Sequence, residues 1–191
     1  HYHAQRIEKI IPDVTPVRDI ESRTLGNLEH SLVGRAWLKG HTWWNERANL
    51  ENEVLTLLNE VELRPLLTPV QVAATIAEVS LYAYNGLRAL AAIERAIPGT
   101  TYRFEVDLRA PGVTGSIDCL GSGGGVTVVI DFKRSKGSNP EFSKWAQFEK
   151  IQLWYYLNAL QRENLLKEKV VAGYFFFKDF DKSWIAANDG A

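Results

Sequence analysis

Methionine is missing from all 191 residues, position 1 included, and cysteine occurs once, at Cys119. The missing methionine fits either a fragment of a longer chain or a sequence from which modified methionines have dropped out. In the second case, spacings across a hidden gap read too short. A lone cysteine forms no internal disulfide and supplies no multi-cysteine zinc or iron–sulfur site. It fits a reducing, cytoplasmic setting. No apolar run of about 18 residues occurs, so no segment reads as a membrane-spanning helix. The opening His1-Tyr2-His3 also lacks the charged-then-apolar layout of a signal peptide. An excess of one charge is lacking too: 22 Lys and Arg against 23 Asp and Glu leave −1. Any contact with nucleic acid must therefore come from a local basic patch.

What is present reads as one domain, 1–191. The chain is 46% hydrophobic and 24% charged, ordinary for a globular protein. At this length it can bury a core that needs no staple. Residues 1–24, with Pro12 and Pro16 among charges, form a lead-in. Residues 25–98 read as helical. Leu28, Leu32, Ala36 and Leu38 fall near helical spacing from Leu25 to Arg47, and Glu51 to Leu67 repeats the pattern. Pro69 opens a long helix that runs through Ala96 and stops at Pro98-Gly99.

Residues 99–178 change period. Tyr102–Leu108 and Thr114–Leu120 read as strands joined by a Pro111-Gly112 turn. Gly121–Gly125 is a glycine-rich hairpin turn leading to the β-branched strand Val126–Phe132. Ser143–Asn164 is a helix and Val170–Phe177 a fourth strand. Residues 179–191 form a tail without a clear final element. This order predicts an α/β or α+β domain whose sheet is backed by helices.

The chemistry-bearing segment is Gly115-Ser116-Ile117-Asp118 followed by Val128-Val129-Ile130-Asp131-Phe132-Lys133. If the two strands pair as a hairpin, both carboxylates project from neighbouring strand ends towards one point. Lys133, two residues beyond Asp131, falls on the same strand face. Two carboxylates and an ammonium suit a hard divalent cation and an anionic substrate. Alone, Asp131 and Lys133 could equally be solvated residues where a buried strand leaves the core.

Further elements occur in a fixed order around this trio. Gly26-Asn27-Leu28-Glu29-His30 gives a G-x-x-x-H element on an early helix, and Gln152 with Tyr156 gives Q-x-x-x-Y on a later one. With the G-x-I-D and D-x-K strands, the set resembles the RecB-like branch of the PD-(D/E)xK nuclease superfamily, from Gly26 to about Phe177. The resemblance implies a restriction-endonuclease-like fold, a mixed sheet core flanked by helices with a mostly helical N-terminal half. It also implies a DNA nuclease, an exonuclease by expectation, using Mg2+ or Mn2+ to hydrolyse phosphodiester bonds. The metal would sit on His30, Asp118, Asp131 and the carbonyl of Phe132. Lys133 would position water, Gln152 and Tyr156 would reach the site or a phosphate, and Glu105 is the candidate for the family's preceding glutamate. By strand alternation Glu105 and Asp107 should share a face.

A helicase domain or subunit is an implied partner alongside DNA, in a repair or defence system. No iron–sulfur cluster is expected, because cluster-bearing relatives use four cysteines. Arg134, Lys136, Lys144 and Lys150, with Trp145 and Phe148 interleaved, are candidates for holding a phosphate backbone and stacking bases. His41-Thr42-Trp43-Trp44 with Arg35, Lys39 and Arg47 is either a second stacking surface or a helix-packing corner. Two competing readings are a non-catalytic binding module that keeps the fold, and a hydrolase of small phosphorylated molecules. The latter requires a deep closed pocket at Asp118 and Asp131.

Overall fold

A computed structural model describes residues 20–109, 115–135, 142–179 and 183–188. The Pro111-Gly112 turn and the lead-in through residue 19 lie outside them. The helical part comprises α1 (Ser22–Lys39), α2 (His41–Asn45), α3 (Arg47–Glu60) and α4 (Pro69–Ala96). Helix α4 has the bounds the sequence predicts, because its start is doubly specified. The Thr68 side chain accepts from the Gln71 backbone, Gln71 reciprocates to the Thr68 N–H, and Pro69 occupies the first turn.

The segment expected as one helix from Leu25 to Arg47 is broken instead. Gly40 adopts φ 90° and ψ 164°, which no α-helix accommodates. Its N–H bonds back to the Trp37 carbonyl, while its own carbonyl accepts from Trp43. Helix α3 then starts at Arg47, ahead of the expected Glu51.

The sheet has five strands in sequence order: β1 (Thr101–Asp107), β2 (Ser116–Gly123), β3 (Val126–Lys133), β4 (Lys169–Phe176) and β5 (Trp184–Asn188). All neighbours are antiparallel except β3 and β4, which run parallel and are joined through α5 (Phe142–Arg162). The glycine-rich turn is shorter than expected. Strand β2 continues to Gly123, and only Gly124 and Gly125, at φ 55° and 76°, make the two-residue turn. The tail corrects the sequence reading as well. Its residues Trp184–Asn188 pair with β4, whose outer backbone groups would otherwise lack partners.

Two cores lie on opposite faces of the sheet. On one, Leu25, Leu28, Leu32, Val54, Leu58, Val79, Leu87 and Leu90 of the helical part pack against Val128, Ile130, Phe132 and Phe177. On the other, Leu153, Tyr156 and Leu160 of α5 meet Ile117, Leu120, Val129, Tyr174 and Phe176. Strand β3 is therefore buried on both sides, which explains why its sequence is a near-continuous apolar run. Among the described residues no helix is long and apolar enough to cross a membrane.

Candidate metal and nuclease site

The site forms where β2 and β3 part. Their pairing runs from Gly123↔Val126 to Cys119↔Ile130 and stops there. At the next position the Asp118 carboxylate replaces the backbone ladder: its Oδ2 accepts the Phe132 N–H at 2.7 Å. Strands β1 and β2 both change face at this level. Phe104 packs in the helix-side core but Val106 in the α5-side core, and Cys119 and Ile117 divide in the same way. Residues two apart in a regular strand share a face, so the geometry between them is irregular. In β1 the irregular residue is Glu105, at φ 48°. A non-glycine residue there costs about 1 kcal/mol or more. The alternation from which Glu105 and Asp107 were expected to share a face thus does not run through Glu105.

The result is a cluster of three potential ligands. One atom each from His30, Glu105 and Asp118 lies within 4.8 Å of the others. His30 Nδ1 is 3.8 Å from Asp118 Oδ2 and 4.0 Å from Glu105 Oε1. Helix α1 delivers the imidazole between the rings of Phe132 and Phe177, each with its centroid 5.7 Å away. Burial lowers the His30 pKa, against the opposing pull of Glu105 and Asp131. The ring is therefore neutral at neutral pH, the form that ligates metals. An imidazole with two carboxylates and no thiolate is a donor set for a hard or borderline divalent cation, so the residues present fit such an ion.

Asp131 stands beside this cluster in a circuit of its own. Lys133 Nζ lies 2.6 Å from Asp131 Oδ2. Lys133 donates to Gln152 Oε1 at 3.3 Å, and Gln152 Nε2 donates to the Tyr156 hydroxyl at 2.6 Å. The Tyr156 hydroxyl returns to Asp131 Oδ1 at 3.5 Å, a long contact that closes the ring. Burial pushes the Tyr156 pKa well above its ordinary value, so the hydroxyl keeps its proton. Burial also raises the carboxyl pKa of both Asp118 and Asp131. At Asp131 the charge on Asp118 adds to the rise, while Lys133 opposes it.

All the sequence-derived site residues, His30, Glu105, Asp118, Asp131, Phe132, Lys133, Gln152 and Tyr156, thus converge on one end of the sheet. Two neighbourhoods differ from expectation. Arg134 is not a free phosphate contact. Its guanidinium is bonded to the fully buried Glu29 and, at 2.6 Å, to Glu78 Oε1. Burial raises the Glu29 pKa to about 8, with Arg134 only partly offsetting it. This pair escaped the sequence reading, although a signal existed: Glu29 falls on the apolar stripe of Leu25, Leu28, Leu32 and Ala36. The Trp43-Trp44 region is a packing corner. Arg35 and Lys39 pair with Glu53, Arg47 with Glu51 and His41 with Glu94, while Trp44 is buried. Lys136 and the side chains of Lys144, Trp145, Phe148 and Lys150 lie outside the described residues.

A family model for the PD-(D/E)XK nuclease superfamily matches residues 1–186. The chain belongs to this superfamily. The mixed five-stranded sheet with flanking helices is its restriction-endonuclease-like fold. Superfamily nucleases use divalent metals and act on nucleic acids, and the His30, Glu105 and Asp118 cluster is the candidate seat for such an ion. A comparison with curated proteins returned no match.

Proposed function

We propose that this chain is a Mg2+- or Mn2+-dependent DNA nuclease of the RecB-like branch, hydrolysing phosphodiester bonds, with exonucleolytic action as the finer reading. The observation that carries it is the meeting of His30, Glu105 and Asp118 within 4.8 Å, next to the closed circuit of Asp131, Lys133, Gln152 and Tyr156. The order of the G-x-x-x-H, G-x-I-D, D-x-K and Q-x-x-x-Y elements supports the branch.

The ion would be held by His30, Glu105, Asp118, Asp131 and the Phe132 carbonyl. Bound there, it would supply Lewis acidity and neutralise phosphate charge. Lys133, one-third exposed and restrained by Gln152, orients the attacking water and offsets the charge that grows on phosphorus oxygens. The water oxygen bonds to phosphorus as one ester P–O bond breaks. The water proton passes to solvent and the leaving oxygen is protonated, giving a phosphate monoester and a free hydroxyl. Gln152 and Tyr156 keep Lys133 and Asp131 in register. The neutral His30 adds no positive charge that would have to leave before an ion binds.

The test is degradation of end-labelled single- and double-stranded DNA with Mg2+, with Mn2+ and with chelator, comparing wild type with Asp118→Asn. Cleavage that requires the cation and is lost in the variant is the expected result. Cleavage that survives chelator and Asp118→Asn would refute the proposal. Metal-free DNA binding with no cleavage under any cation would instead assign the chain to the non-catalytic modules.

A further inference from the structure

Glu29 and Arg134 each stand next to a residue of the proposed site, Glu29 before His30 on α1 and Arg134 after Lys133 at the end of β3. Glu29 is fully buried and Arg134 is 12% exposed. The Arg134 fork spans two helices: one nitrogen bonds Glu29 Oε1, and the other lies 2.6 Å from Glu78 Oε1 on α4. The guanidinium carbon also sits 5.6 Å from the centre of the Tyr82 ring, again on α4. The backbone of the same segment is fixed from the other side. Phe177 and Lys178 donate to the Lys133 and Arg134 carbonyls, each at 2.9 Å.

A carboxyl group taken this far out of water is weak as a source of stability, since its burial costs about as much as its contact with the guanidinium returns. Glu29 makes the point directly, because its Oε2 is buried with no hydrogen-bond partner. What the pair supplies is geometry. His30 rides on α1, while Asp131 and Lys133 ride on β3, and the described residues bring these elements together here through a rigid, two-ended side chain. Only an arginine can reach both glutamates with one planar group; a lysine offers a single point charge.

We propose that Arg134 and Glu29 form a latch that sets His30 on α1 relative to Asp131 and Lys133 on β3, making them positioning residues for the divalent ion. The inference rests on the metal-dependent reading above. The latch touches neither ion nor substrate: both ends of the fork are engaged, so Arg134 is not a phosphate ligand.

The test titrates Mn2+ into the protein at fixed pH, reading free Mn2+ by electron paramagnetic resonance, with circular dichroism to verify folding. Partners that orient metal ligands are typically worth about 10- to 100-fold in affinity. Arg134→Lys and Glu29→Leu should therefore weaken Mn2+ binding about tenfold or more while staying folded. Glu29→Gln keeps an oxygen acceptor for the guanidinium and should remain within about threefold of wild type. A latch acting through charge alone would instead make Gln as damaging as Leu, which overturns the geometric account.

Wild type that binds no Mn2+ sinks the proposed function. Wild type that binds, alongside folded Arg134→Lys and Glu29→Leu that bind within twofold of it, sinks only the latch. If these single variants do not fold, the double replacement Glu29→Leu with Arg134→Met decides, since it leaves no charge buried alone. A folded double variant with weakened binding supports the latch, and one with wild-type binding overturns it. Failure of the double variant to fold also overturns it, because the pair would then serve the fold as a whole.

Discussion

Replacing Asp131 with asparagine should make the metal-free protein more stable while abolishing its chemistry. The Asp131 side chain is 1% exposed, and burial, with the neighbouring Asp118 charge, raises its carboxyl pKa from the ordinary 3.8 to about 6. Because the folded value lies above the unfolded one, the folded state holds the proton more tightly between these two values. Stability therefore falls as pH rises from about 4 to about 6, then stays level. Above that window the ionised carboxylate costs the fold about 3 kcal/mol, at about 1.36 kcal/mol per pH unit.

Asparagine has the same shape and carries no charge. It removes this cost, and the repulsion with Asp118 is relieved once, for the pair. The attraction to Lys133 at 2.6 Å is already contained in that figure, because it opposes the rise in pKa. The gain is therefore about 3 kcal/mol, a rise in Tm of about 6 to 12 °C for a chain of this size. Thermal denaturation with chelator at pH 7.5 and pH 4.5 reads the effect, which should be full at the first and about a third as large at the second. Added Mn2+ should stabilise wild type and leave Asp131→Asn nearly unmoved. A variant that is less stable than wild type at pH 7.5, or equally shifted at both pH values, would refute the reasoning.

Lys133→Ala should lower kcat by about 100- to 1,000-fold, the scale for losing one group that offsets transition-state charge. Its Tm should fall only above about pH 6, where Asp131 would have to ionise without a counter-charge. Mn2+ affinity should drop as pH falls through about 6, because protons compete for Asp118 and Asp131 at their burial-raised pKa values; isothermal titrations across pH 5 to 8 that show no loss between pH 7 and pH 5 would disprove this. Gly123→Ala should cost about 1 to 3 kcal/mol in denaturant unfolding. A Cβ there would stand 2.5 Å from the Thr100 Cα and 2.6 Å from its nitrogen, yet cleavage by the folded fraction should be unaffected.

Local signals were legible in the sequence wherever one short stretch specified its own conformation. Thr68, Pro69 and Gln71 define the start of α4 within one turn, and the β-branched run of β3 reads as an apolar strand. The spacing of Asp131 and Lys133, and of Gln152 and Tyr156, placed each pair on one face before any tertiary contact was considered. Other features depend on what arrives from elsewhere. The Gly40 break was hidden because glycine is tolerated in a helix until its neighbours demand a positive φ. Strand β5 was hidden because a short tail becomes a strand only when β4 offers an open edge.

The same division runs through the site. The sequence by itself determined which residue types are present and in what order, since motif spacing is a property of one chain segment. Only the tertiary structure decided that Glu105 joins His30 and Asp118, through an irregular residue in β1. Tertiary structure also decided that Asp131 is held by Lys133 and Tyr156, and that Arg134 is spent on Glu29 and Glu78 instead of facing a phosphate. The reason is physical: the partner a charge meets, and the water it loses, are set by segments up to about a hundred residues away, as with Glu29 and Arg134.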